Sequence, residues 1–129
     1  MSLNMKFVML GVQDLAAARK FYVEGMGAEI VHDFPHYIAL SLGEGSSTLA
    51  LYRWETAAAD AGVPSEGSGF RGVSLHCIAE SREAVDEVIA AAEAAGGTVT
   101  KKAESAKWGG YFGFFADPDG YLWKVATAG

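Results

Sequence analysis

Cysteine is nearly missing from this 129-residue chain. Cys77 stands alone, so no internal disulfide can form, and a reducing, cytoplasmic setting is expected. Positive charge is also scarce. Ten Lys and Arg face sixteen Asp and Glu, a net charge of −6, and apart from Arg19-Lys20 and Lys101-Lys102 the basic residues are scattered. A nucleic-acid binder presents a basic face that displaces counterions from phosphates, so neither nucleic acid nor an anionic membrane is expected as a partner. No apolar run approaches the ~18 residues that read as a membrane span. Met1-Ser2-Leu3-Asn4 puts no basic region ahead of an apolar stretch, so no secretory signal is read there. Met5 is a candidate natural start, with Met1–Asn4 an added leader from cloning. What is plentiful is apolar: 50% of residues are hydrophobic and 20% charged, enough for the core of one domain.

The apolar residues fall into two halves with one grammar. Phe7 to Val12 has strand length; Asp14 then stands at an N-cap position, followed by Leu15, Ala18, Phe21 and Tyr22 at helical spacing. Gly25 and Gly27 mark the helix stop, and Glu29–His32, Tyr37–Leu42 and Thr48–Tyr52 follow as strands. The second half repeats the order. Val73–Ile78 reads as a strand, Ser81 as a cap, and Val85, Val88, Ile89 and Ala92 as one helix face. Gly96-Gly97 closes that helix, and strands are expected at Thr98–Lys101, Tyr111–Phe115 and Tyr121–Ala126. Module one therefore spans about residues 5–55 and module two about 71–128. Between them, about residues 56–70, lies an Ala-, Gly- and Ser-rich linker with a helical turn at its start. In Asp117-Pro118-Asp119-Gly120, Pro presets one turn position and Gly tolerates the positive φ of the last, which predicts a hairpin.

Several short motifs in this order carry a resemblance. They are Leu10-Gly11-Val12-Gln13-Asp14-Leu15 with Phe21-Tyr22, Ala95-Gly96-Gly97, Trp108-Gly109-Gly110-Tyr111, and the run from Phe115 to Trp123. Together they cover nearly the whole chain, which resembles the glyoxalase/bleomycin-resistance/dioxygenase (vicinal oxygen chelate) superfamily. The resemblance implies an α+β fold of two tandem βαβββ modules forming a curled sheet around a cavity, and a homodimer.

Metal-using members take two ligands from each module, on its first and last strands. The matching positions here are Phe7, Leu51, Ser74 (or His76 if the register slips by two) and Lys124, where the family pattern has Glu. Divalent cations need lone-pair donors. Phe7 and Leu51 offer none, and Lys124 brings a like charge, repelled by roughly 4 kcal/mol at 4 Å and an effective dielectric of about 20. No metal, cofactor or catalytic residue is therefore expected.

The resemblance turns His76 and Lys124 toward the cavity. His76 is either a ligand-contacting imidazole or a histidine satisfied by nearby backbone. Lys124 either holds an anion or snorkels to the cavity mouth. Phe7, Met9, Tyr37, Trp54, Trp108 and Tyr111 form the aromatic and sulfur-bearing set near the cavity or its rim, Trp108 as a mobile lip. His32 and His36 read as solvated residues of a strand connection. Cys77 points away from His76 and packs under the helix. The ligand-binding set is thus Phe7, Met9, Leu51, Ser74, His76, Trp108, Tyr111 and Lys124. The expected function is capture of a small planar or amphipathic molecule. The alternative is a glyoxalase-like lyase, isomerase or dioxygenase with an unorthodox or metal-free site.

Overall fold

The computed structural model describes residues 5, 7–61, 64–67, 71, 73–107 and 109–128. Met1–Asn4, part of the linker and Trp108 lie outside them. The chain divides into two compact units, residues 1–67 and 68–129.

In the first unit β1 (Phe7–Val12) leads into α1 (Leu15–Arg19), which continues as a π-helical stretch, Lys20–Gly25. Asp14 caps the helix, its Oδ1 accepting from the Ala17 N–H at 3.1 Å. Ala18, Phe21 and Tyr22 are the buried stripe of this helical segment. The strands β2 (Glu29–Phe34), β3 (Tyr37–Ser41) and β4 (Thr48–Arg53) complete an open four-stranded sheet in the order β1-β4-β3-β2. The β1/β4 pair is parallel and the others antiparallel. The expected turn after β4 is a full helix, α2 (Trp54–Ala61). The Trp54 indole donates to the Ser65 carbonyl at 2.6 Å, tying part of the linker to that helix.

The second unit repeats the plan with β5 (Ser74–Ile78), α3 (Arg82–Ala94), β6 (Thr98–Ser105), β7 (Tyr111–Ala116) and β8 (Leu122–Thr127). Its sheet order is β5-β8-β7-β6, again with one parallel pair, β5/β8. Ser81 caps α3 by accepting from Ala84 N–H, and Val85, Ile89 and Ala92 are its buried face. The Asp117–Gly120 turn forms as its composition predicts. Gly120 has φ +90°, and the buried Asp117 carboxylate accepts from the Asp119 and Tyr121 N–H groups, both at 2.9 Å.

Both modules carry strands longer than pattern alone predicts, and for the same reason. β2 runs on to Phe34 through a register shift between Ile30 and His32. β6 runs on to Ser105 through two shifts, between Val99 and Lys101 and between Lys101 and Glu104. An extra residue at a bulge reverses which face the following side chains occupy.

Candidate functional site

Each sheet has a face under its own helix and an opposite face. In the first unit, alternation along β1 and β4 puts Leu10, Val12, Leu49 and Leu51 on the helix side, all buried. The other face carries Phe7 and Met9, 54% and 43% exposed, with their strand partners Thr48 and Ala50. Register across the sheet adds Tyr52, Tyr37 and Ala39 to this face, and the β2 bulge turns His32 and Phe34 onto it. The rings form a continuous row. His32 stacks near Phe34 at 6.2 Å, Phe34 near Tyr37 at 6.2 Å, and Tyr37 meets Tyr52 edge-on at 5.4 Å. One end of the face is covered by α2. There Gly11 lies so close that an added Cβ would sit 3.4 Å from the Trp54 Cα.

Leu51 therefore moves out of the candidate set. It is fully buried between Leu10 and Ile38 on the helix side, a face away from Phe7 and Met9. His32, the last residue of the expected strand Glu29–His32, is exposed as its solvated reading implies, and lies in β2 within the ring row rather than in the connection. His36 does lie in the turn.

In the second unit Ser74, His76 and Ile78 share a face with Leu122, Lys124 and Ala126, and with Phe112, Phe114 and Ala116 of β7. His76 and Lys124 are direct partners across β5/β8, and Phe114 flanks Lys124 on the other side. Ser74 Oγ and His76 Nε2 are 3.1 Å apart. The half-buried Lys124 holds its Nζ 4.7 Å from the Phe112 ring centre. The β6 bulges bring Lys101 to the same ring at 5.7 Å, where it also pairs with Glu104 at 3.2 Å. Sequence pattern marks Lys101 only as half of a basic pair and singles out neither Phe112 nor Phe114.

Tyr111 points the other way. Its hydroxyl donates to Asp86 Oδ1 of α3 at 2.7 Å, and the Arg82 guanidinium lies 5.0 Å over its ring. The hydrogen bond to Asp86, which the phenol donates only while protonated, is the main cause that raises its pKa above the usual value. It belongs to the helix side and is not grouped with Ser74, His76 and Lys124. Cys77 is also on that side, half-buried, and burial raises its thiol pKa. Such a thiol is a poor nucleophile. Trp108 falls outside the described residues.

Among the described residues no three His, Cys, Asp or Glu side chains gather as a possible cation site. Nor is any helix there long and apolar enough to cross a membrane.

The comparisons with known proteins fit this architecture. The family model of the Glyoxalase/Bleomycin resistance protein/Dioxygenase superfamily matches residues 4–125. Among solved structures, a glyoxalase-related enzyme from Fulvimarina pelagi is 29% identical with a TM-score of 0.86, covering 96% of this chain and 87% of that one. A glyoxalase/bleomycin resistance protein/dioxygenase family enzyme from Burkholderia phytofirmans PsJN is 22% identical, with a TM-score of 0.85 and coverage of 98% and 99%. A lactoylglutathione lyase from Agrobacterium tumefaciens is 24% identical, with a TM-score of 0.72 and coverage of 96% and 92%. No curated protein matches the chain.

Proposed function

This chain belongs to the glyoxalase/bleomycin resistance protein/dioxygenase superfamily, and from that membership we propose that it is a metal-free member that binds a small planar or amphipathic molecule. The observation that carries this reading is the open aromatic face of the first unit. Exposed Phe7, Met9 and Phe34 lie on the same face as the Phe34–Tyr37–Tyr52 row, a surface on which flat apolar molecules stack.

Donor chemistry supports the same reading over a metal centre. On the first-unit face, β1 and β4 offer a thioether, a hydroxyl and a phenol from Met9, Thr48 and Tyr52, and no carboxylate or imidazole. On the second-unit face, Ser74 and His76 are set beside the ammonium of Lys124. Neither set fits the His, Glu or Gln ligands by which the family holds a divalent cation. The reading includes a homodimer in a reducing cytoplasm, supported by the resemblance and by the single thiol.

A thermal-shift screen of planar aromatic compounds, run with and without chelator, tests the reading. A ligand at a hundred times its Kd adds about 2.7 kcal/mol. At about 2.1 cal/mol/K of unfolding entropy per residue, that raises Tm by roughly 10 °C for a chain this size. The rise should be the same in chelator. A rise that chelator abolishes, or none across a broad planar set, contradicts it. The competing reading, a lyase, isomerase or dioxygenase-type enzyme with an unorthodox or metal-free site, would draw on the Ser74–His76 pair and Lys124. Turnover of methylglyoxal with glutathione would favour it.

A further inference from the structure

We infer that the molecule taken up by the first unit's open face is a flat organic cation, an aromatic ring system with a delocalised positive charge. This names the ligand class for the binding function proposed above and rests on that reading.

The inference uses the first unit alone and starts from where its charges stand. Among the described residues, no Lys or Arg occupies a strand position on the open face. Arg53 pairs with Val12 on the helix side. Arg19 of α1 pairs at 2.9 Å with Asp33, the β2 partner of buried Ile38, which is again the helix side. The carboxylate of Glu29 does belong to the open face, because Glu29 pairs with Ser41, which alternates with Tyr37 and Ala39. The imidazole of His32 stands at the outer end of the ring row. The fixed formal charge of this face is therefore negative, and the net charge of −6 acts in the same direction at long range.

The rings supply the main attraction. An aromatic face carries negative π density that draws a cation within about 6 Å of the ring centre. Phe34, Tyr37 and Tyr52 follow one another at 6.2 and 5.4 Å, so a charge held above the row reaches more than one ring at once. Phe34 is 57% exposed and open to such a ligand. The thioether of Met9, also exposed on this face, is polarisable and adds to the effect. A flat, delocalised cation suits this surface better than a compact ammonium, because its spread charge is more weakly hydrated. An anion meets the π density and Glu29 with the wrong sign. A neutral ring gains stacking alone.

Calorimetric titration of the full chain with N-methylquinolinium and with 2-methylquinoline tests this. The two share ring system and carbon count, and under mildly alkaline conditions the second is uncharged. The cation should bind about fivefold or more tightly, the gain expected of a cation–π contact. Phe34→Leu and Tyr37→Leu each remove one ring and conserve the net charge. Both should weaken N-methylquinolinium more than 2-methylquinoline, and Phe34→Leu, at an exposed position, should leave the fold intact. Equal affinities in the unmodified protein, or tighter binding of the neutral probe, would overturn the inference and leave the planar-ligand reading standing. A preference that survives undiminished in both variants would trace to net charge alone and overturn it too. If neither probe binds at all, the planar-ligand reading falls, and this inference with it.

Discussion

Leu51→Ala should cost roughly 2–5 kcal/mol of stability, the range for emptying a close-packed leucine site. Tm should fall by about 7 to 18 °C at ~2.1 cal/mol/K of unfolding entropy per residue. Leu51 is fully buried, and its strand partners Leu10 and Ile38 sit on the same helix-side face, likewise buried. Its removal leaves a void that β1 and β3 cannot close without giving up their pairing with β4. Ligand affinity of the folded variant should be unchanged, because the aromatic row is on the opposite face of the sheet. Denaturant unfolding with and without ligand checks both parts. A stable variant with weakened binding would put Leu51 back among the ligand contacts that the family resemblance implies.

Gly113→Ala should be the costliest glycine substitution away from the turns, at roughly 1–3 kcal/mol, which lowers Tm by about 4 to 11 °C. An added Cβ would lie 2.7 Å from Ile89 Cδ1, 2.9 Å from the Lys101 carbonyl oxygen and 3.0 Å from the Ala103 Cα. The isoleucine tip can rotate away, but the other two atoms are backbone and belong to the second β6 bulge. Glycine stands here because a bulged strand approaches β7 too closely for any side chain. Relief requires moving the segment that carries Lys101 and Glu104, so the variant should also disturb their 3.2 Å pair. Thermal unfolding gives the first effect, and a lysine-resolved NMR shift change gives the second. An unchanged Tm would mean that the bulge is not held against β7.

Much of the fold was legible because local signals agreed with one another. Asp14 and Ser81 cap helices as their positions predict, and each of the eight strands among the described residues overlaps an expected run. The faces were harder to read. In Thr48-Leu49-Ala50-Leu51-Tyr52 the alternation itself sets Leu49 and Leu51 apart as core, but the position implied by family resemblance favoured Leu51 as a site residue. Tyr111 to Phe115 is aromatic on both faces around Gly113, so hydrophobic pattern alone assigns neither, and only the register sends Tyr111 to α3 and Phe112 to Lys124. The bulges in β2 and β6 exchange faces with no composition signal. For that reason the sequence marks His32 only as a solvated residue, Lys101 only as half of a basic pair and Phe34 not at all, although they are among the best-placed groups on the two open faces.

Metal analysis of protein purified without chelator bears most directly on the proposal that these faces bind a planar molecule unaided by a cation. Zinc, nickel, iron and manganese should each be far below one atom per chain, and adding them should leave ligand affinity unchanged. Near-equimolar metal that stays bound through gel filtration would contradict the account and make metal-dependent catalysis the better description.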